Sequence, residues 1–310
     1  MNLSLQFDKG TILVYGAEKH QLQFLNGLSW DERTNSFRAP AAEYRKLVTD
    51  LRKHKITYND NARKFSALTF PLKKKITPRS FQTEAAEAWI SEKRGVVTLP
   101  TGAGKTILAV MLIARIGRPT LIHVPTIDLM GQWNAVLNEY FDIKIGLLGG
   151  GVNDIQLITV ATYDSALLHV PYRGDQFGLL VFDECHHLPG EQFKFTALGS
   201  IAPFRLGLTA TPERSDGKEK VLYELCGPLC YETHIDELSG KTLAPYLVKT
   251  IEVEMLPEDR EQYEISRKCY TDFLGKARIS FKHPNGWSIF LRRTSESQEG
   301  REAFKAYLIQ

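Results

Sequence analysis

This chain of 310 residues is short of sulfur, with four cysteines and four methionines, and it has only four tryptophans. Cys185, Cys226, Cys230 and Cys269 are too few and too scattered to staple a chain this long, which excludes a disulfide-framed secreted scaffold. Long apolar runs are also missing, and none approaches the ~20 residues that cross a bilayer. The opening MNLSLQFDKG has no apolar signal-peptide core. We expect an intracellular protein, cytoplasmic or at the nucleoid, with no membrane partner. No internal repeat or low-complexity tract occurs, so no repeat array is expected.

What is present is ordinary globular composition, 43% hydrophobic and 24% charged. The length suggests two domains or so at roughly 100–200 residues each. The net charge of +3 is unevenly spread: residues 1–75 hold 14 Lys and Arg against 7 Asp and Glu, and the remainder holds 25 against 29. A basic N-terminal segment suits a polyanionic partner, and it equally suits a solvated helix face carrying Arg45, Lys46, Arg52 and Lys53.

Residues 3–7 and 11–15 predict a β-hairpin about Asp8-Lys9-Gly10. Ala41 to Lys53 predicts a helix with Tyr44, Val48 and Leu51 on one face, and Ile56-Thr57-Tyr58 predicts a strand. This β-β-α-β unit is expected to be a small α+β domain at 1–70. From about residue 95 the pattern changes to short apolar runs between helical stretches: 95–99, 120–124, 143–148, 155–160, 179–182 and 205–209. Such runs predict an α/β fold with a mostly parallel sheet over 71–255, whose ligands gather at the carboxyl ends of the strands. Residues 256–310 predict a polar helical segment anchored by Tyr263, Tyr270 and Phe273.

GVVTL runs into Pro100-Thr101-Gly102-Ala103-Gly104-Lys105-Thr106 and then a helix. Glycines there let successive N–H groups face an anion, and the helix dipole favours negative charge. Lys105 can reach terminal phosphates and the Thr106 hydroxyl can bind Mg²⁺. Thr101, Gly102, Ala103, Gly104, Lys105 and Thr106 are therefore expected to bind a nucleotide triphosphate, ATP, with Mg²⁺. Leu99 occupies the place of the first glycine in the longer form of this motif.

LLVF leads into Asp183-Glu184-Cys185-His186-His187, five residues that could each hold a metal. Carboxylates at the tip of a buried strand suit Mg²⁺ better than zinc, because the phosphate-bound cation wants oxygen ligands. Asp183 is expected to hold the cation, with Thr106, and Glu184 to orient and deprotonate the attacking water. His186 reads as a polar link to neighbouring strand tips, Cys185 as an interior thiol, and His187 as a packing or capping residue. Cys226, Cys230 and His234 are evenly spaced but lack the second cysteine pair of a zinc knuckle.

These motifs together resemble the XPB-type superfamily 2 DNA repair helicases, most of all their archaeal members, over nearly the whole chain. The resemblance implies a RecA-like P-loop domain, for which the short Thr-Gly-x-Gly-Lys-Thr loop is a helicase form. Arg79 and Gln82, in Arg79-Ser80-Phe81-Gln82, resemble an adenine-reading element; a Gln amide can pair with N6 and N7 of adenine. Val124-Pro125-Thr126 with Gln132-Trp133, and Thr162-Tyr163-Asp164-Ser165-Ala166, resemble strand-contacting motifs, making Thr126, Gln132 and Thr162 candidate DNA contacts. Either threonine equally well caps a helix. Thr209-Ala210-Thr211 resembles the motif coupling hydrolysis to strand movement, through hydroxyls that could bond His186. Arg214 and Asp216 resemble two members of a strand-opening trio, with Ser215 in place of its glutamate; the alternative is an exposed turn.

By the same resemblance, 1–70 would be a damage-recognition-like domain, 71–255 the first RecA-like domain and 256–310 a thumb-like insertion. The implied activity is ATP-dependent 3′-to-5′ helicase or translocase action on duplex DNA with a single-stranded or damaged region. It would serve nucleotide excision repair or transcription, beside a repair nuclease or other repair proteins. Nothing after residue 256 reads as a second parallel-sheet domain with its arginines, which contribute roughly 10³–10⁵ in rate in related chemistry. We therefore expect the N-terminal half of a motor, with weak ATP binding and poor hydrolysis. Other readings are an RNA helicase, a restriction-system motor, or a DNA-binding module with a nucleotide pocket that does not hydrolyse.

Overall fold

The computed structural model describes residues 2–25, 27–211, 219–234, 237, 251, 253–281 and 286–309. The chain divides into two compact units, Met1–Pro245 and Tyr246–Gln310. The first contains two sheets, each with its own core.

The smaller sheet has the order β3-β4-β2-β1-β5, with β1 Leu3–Asp8, β2 Thr11–Tyr15, β3 Ser29–Asp31, β4 Ser36–Pro40 and β5 Tyr58–Asp60. β1 and β2 form the expected hairpin, closed Asp8 to Thr11. Its two turn residues, Lys9 and Gly10, have φ 47° and 79°, which matches the right-handed twist of the strands. A 3-10 turn at Ala41–Glu43 leads into α1, Tyr44–Lys53, which buries Tyr44, Leu47, Val48 and Leu51.

Two features correct the β-β-α-β expectation. β3 and β4 are additional strands, and the last strand lies two residues later than Ile56-Thr57-Tyr58. β4 reads SFRAP, with an arginine and a proline that argue against a strand. Pairing succeeds because Arg38 is held by Asp31 Oδ2 of the adjacent β3 at 2.8 Å and by Asp8 Oδ2 of β1, two strands away, at 2.9 Å.

The larger sheet has the order β13-β6-β12-β11-β7-β10-β8-β9. Its strands are β6 Arg94–Thr98, β7 Thr120–Val124, β8 Ile145–Gly149, β9 Val152–Asp154, β10 Ile158–Thr162, β11 Leu179–Asp183, β12 Phe204–Thr209 and β13 Leu229–Glu232. Every pairing is parallel except β8–β9, so the fold is α/β with a mostly parallel sheet. Alternation along the strands splits the core. Val97, Ile122, Val124, Val160, Val181 and Leu208 pack with α2 (Ser80–Glu92), α3 (Lys105–Ile116) and α4 (Ile127–Tyr140). Val96, Leu180 and Phe182 pack on the other face, where α5 (Tyr163–Arg173), α6 (Lys194–Leu198) and α7 (Glu219–Cys226) lie.

β9 and β13 are strands that the apolar runs do not predict. Cys230 lies in β13, where its thiol donates to Arg94 O at 3.5 Å, and Cys226 is buried at the end of α7. Among the described residues, no group of three His, Cys, Asp or Glu is placed to hold a metal, and no helix is long and apolar enough to cross a membrane.

The second unit contains α8 (Pro257–Lys276), α9 (Gly286–Ser295) and α10 (Gln298–Leu308). Phe273, Ile279, Phe290 and Ala303 form its small core, and Ser297 caps α10 by accepting from Gly300 N at 3.0 Å.

Candidate nucleotide site

The P-loop follows β6 and opens α3, so its amides sit at a helix N-terminus beside the carboxyl ends of the strands. Gly102 and Gly104 have φ 80° and 86°. At Gly104 a Cβ would come 2.6 Å from Gln82 Nε2, so the turn needs glycine twice over, for handedness and for space.

Gln82 is buried, and its amide is committed to backbone. Oε1 accepts from Arg79 N at 3.0 Å, and Nε2 donates to Ala103 O at 3.0 Å and Gly104 O at 3.3 Å. The side chain expected to face adenine thus ties the start of α2 to the P-loop, and pairing with a base would require exchanging these bonds. Arg79 and Gln82 line a cavity of about 360 Å³ together with Ile76, Thr77, Gly102 and Gly104, a size suited to a small ligand. Thr101 and Gly102 are exposed and Ala103 is buried.

Asp183 is the last residue of β11 and is buried. Its Oδ2 accepts from Trp133 Nε1 at 2.7 Å, and its Oδ1 from Glu184 N at 3.1 Å. Burial raises its carboxyl above the ordinary range; the Trp133 bond opposes that rise, and the adjacent Glu184 charge adds to it. Glu184 has left-handed backbone, φ 46°, which turns its side chain away from the strand direction. Lys105 Nζ lies 3.8 Å from Glu184 Oε1 and donates to Leu99 O at 3.3 Å. The Thr106 hydroxyl, in the first turn of α3, makes no hydrogen bond among the described residues. One unengaged hydroxyl and one buried carboxylate, both oxygen donors beside a lysine, fit a magnesium ion carried in on phosphates.

His186 Nδ1 lies 3.2 Å from Thr209 Oγ1 and 3.4 Å from Glu184 Oε2. Thr209 Oγ1 also donates to Thr211 O at 3.0 Å and accepts from Thr211 N at 3.1 Å. Glu184, His186, Thr209 and Thr211 therefore form a continuous polar chain across the tips of β11 and β12. Cys185 is buried, and the exposed His187 ring packs against His186 with centroids 4.3 Å apart.

Farther along the same edge, Thr126 caps α4 by accepting from Leu129 N at 3.2 Å, and Thr162 caps α5 by accepting from Ser165 N at 3.3 Å. Both hydroxyls serve as helix caps here, while Gln132 is exposed. Arg214 and Asp216, with Ser215 between them, lie outside the described residues.

Two participants are not evident from the sequence pattern. Trp133 stands beside Gln132, and nothing in its spacing reveals a bond to Asp183, fifty residues away. Gly149, the last residue of β8, and Gly150-Gly151, which lead into β9, have φ 150°, 59° and 83°, and a Cβ on Gly149 would come 3.0 Å from Thr162 Cγ2. Three consecutive glycines after a strand are the signal that could have found this loop.

The family described as "Xeroderma pigmentosum group B helicase damage recognition domain" matches residues 5–62, and that described as "Type III restriction enzyme, res subunit" matches 75–214. "DNA 3'-5' translocase XPB2" of Sulfurisphaera tokodaii is 40% identical over 282 residues, covering 91% of this chain and 64% of the relative. "DNA 3'-5' helicase XPB" of Mycobacterium tuberculosis is 31% identical over 234 residues, covering 69% and 42%. The "General transcription and DNA repair factor IIH helicase/translocase subunit XPB" of Antonospora locustae is 24% identical over 194 residues, covering 56% and 28%. The chain spans less than two thirds of the length of each of these relatives. By its two matched regions, and by a relative that aligns along nine-tenths of it, this chain belongs to the XPB-type superfamily 2 helicases.

Proposed function

We propose that this chain is the ATP-binding half of a DNA translocase or helicase. It works with 3′-to-5′ polarity on duplex DNA with a single-stranded or damaged region, in nucleotide excision repair or transcription. The observation that carries this reading is the meeting of Lys105, Glu184, His186 and Thr209 at the carboxyl edge of the sheet. Family membership supplies the DNA side of the proposal, and the relatives' names supply its polarity. Residues 1–70 act as the damage-recognition-like domain, 71–255 as the first RecA-like domain and 256–310 as the thumb-like segment. Repair proteins, including a nuclease, are its partners, and its place is the cytoplasm or nucleoid.

In this mechanism the P-loop amides of Gly102 to Thr106 cradle the phosphates and Lys105 neutralises charge on the terminal ones. Mg²⁺, when bound, would add further neutralisation of phosphate charge, and Thr106 and Asp183 are the residues that would hold it. Glu184 accepts a proton from the attacking water, its side chain oriented by Lys105 on one side and His186 on the other. As Glu184 changes partners, His186 passes the change to Thr209 and Thr211. Arg79 and Gln82 bind the base, and Thr126, Gln132 and Thr162 face the DNA strand, with Arg214 and Asp216, which follow β12 in the sequence, as further DNA contacts.

The test is Glu184→Gln. Turnover of ATP stimulated by duplex DNA should fall by about 10² or more, with nucleotide affinity retained. Unchanged turnover would reduce the chain to a binding module. One observation favours a second reading: the larger matched region carries a restriction-enzyme description. A restriction motor would need a specific DNA sequence for stimulation, whereas the proposed activity responds to its duplex substrate whatever the sequence, and stimulation by RNA alone would support neither.

A further inference from the structure

The opposite edge of the larger sheet carries a positive cluster that the nucleotide reading leaves unused. Arg94 opens β6 and Arg205 is the second residue of β12, so both stand at the amino ends of these strands. Five strand residues span roughly 16 Å, which separates the cluster from the P-loop at the far end of β6. Arg45 and Lys46 of α1 and Lys194 of α6 join Arg94 in walling a cleft of about 830 Å³.

The charges in this wall are poorly answered. Arg205 is 1% exposed and bonds only to carbonyl oxygens, those of Ala202, Leu225, Ala197 and Ser200. Burial, with Arg94 alongside, pulls its guanidinium down to about 9. Arg94 spends Nη2 on Leu225 O at 3.3 Å, while its Nε is buried with no partner. Arg45 makes one bond, to Pro203 O at 3.4 Å, and Lys194 lies 5.6 Å above the Phe195 ring. Among the described residues none of Arg45, Arg94, Lys194 and Arg205 has a carboxylate oxygen within 4.0 Å. Of the cations in this wall Lys46 alone has a carboxylate within 4.0 Å among the described residues, Glu43 Oε2 at 3.8 Å. The guanidiniums, one of them fully dry, have only more distant acidic groups, which leaves place for a further anion against them.

We propose that this cleft is an oxyanion-binding site, holding a phosphate or carboxylate group between Arg94, Arg45 and Lys194. The ligand is a small polar molecule and not a strip of nucleic-acid backbone. Glu43, Asp50 and Glu224 also line the cleft and repel a continuous polyanion, yet they can accept from hydroxyl or amino groups on a compact one. The volume lies within the range of small-molecule clefts. Because α1 belongs to the smaller sheet's domain and Arg94 and Lys194 to the larger sheet and its cover, the ligand would clamp the two together.

Calorimetry with pyrophosphate and with citrate as probes tests this, in a Lys105→Ala background that disables the P-loop. At least one probe should bind, and the double substitution Arg45→Ala with Lys194→Ala should weaken it tenfold or more, with Arg94→Gln doing the same. Pyrophosphate binding alone assigns the site to phosphates, citrate alone to carboxylates, and both to oxyanions generally. If neither probe binds once Lys105 is lost, or the double substitution leaves affinity unchanged, the site does not exist. The double substitution removes two side chains without buried hydrogen bonds, so the outcome does not depend on Arg94→Gln folding. Failure here leaves the ATP reading untouched, since that reading stands on Lys105 and Glu184.

Discussion

The bond from Trp133 to Asp183 joins α4 to the carboxylate proposed to hold the cation, and both partners are buried. A hydrogen bond to a charged group contributes about 1.5–3 kcal/mol, and losing it leaves a carboxylate oxygen without its donor. Trp133→Phe keeps most of the ring in the core and removes the donor. It should lower stability by about 2 kcal/mol and raise several-fold the Mg²⁺ concentration needed for half-maximal nucleotide binding. An unchanged Mg²⁺ requirement in a folded variant would mean that Trp133 only packs. His123 illustrates a different residue-scale effect. It is buried against Phe182, with ring centroids 4.4 Å apart and Nδ1 3.1 Å from Val181 O, and burial pulls its imidazole down to about 4. The unfolded chain binds this proton near pH 6.5 and the folded chain does not, so stability is full above that pH and falls as pH drops from 6.5 to about 4. A plot of melting temperature against pH should lose part of this acid limb in His123→Phe, and identical limbs would remove His123 as a cause.

Among the elements, those with long continuous apolar runs were the legible ones. The runs at 95–99, 120–124, 179–182 and 205–209 fall within a residue of β6, β7, β11 and β12, because strands buried on both faces must be apolar throughout. The runs at 143–148 and 155–160 lie two to three residues early, since Ile143 and Ile155 are apolar but precede the paired segments. Edge elements carried no such signal. β3 and β9 are three residues each, and β13 reads LCYE, so partners across the sheet define them and not composition. The P-loop was legible because its glycines do a local job. Gly104→Ala should cut nucleotide affinity tenfold or more, since the new Cβ meets Gln82 Nε2 in a left-handed turn; retained affinity would show that the loop tolerates both. Gly95 in β6 has φ 156°, and a Cβ there would collide with Cys230 Sγ of β13 and with Pro228 O. Gly95→Ala should therefore destabilise the chain by about 2 kcal/mol, read by denaturant unfolding, even though Gly95 touches no proposed ligand. The bonds of Gln82 to Ala103 and Gly104, and of Trp133 to Asp183, were illegible because each spans twenty or more residues and depends on the finished packing.

At the scale of the whole molecule, the two sheets of the first unit share side chains. Ile201, which precedes β12 of the larger sheet, is 1% exposed within the smaller sheet's core, and a Cβ on Gly10 would come 3.3 Å from Gly199 Cα. Ile201→Ala should cost about 3 kcal/mol and speed amide exchange in β1 and β12 alike. Faster exchange in β1 alone would show that the smaller sheet melts independently. Contacts of this kind accompany the grouping of both sheets, each with its own core, in the one compact unit Met1–Pro245. Gln82 bears on how the proposed nucleotide would be seated. Its Oε1 accepts from the start of α2, and its Nε2 donates to the carbonyls of Ala103 and Gly104. A purine that takes its donor from Nε2 would have to draw that amide off the loop beneath, so on the proposed reading seating a base and slackening the phosphate cradle would become a single event.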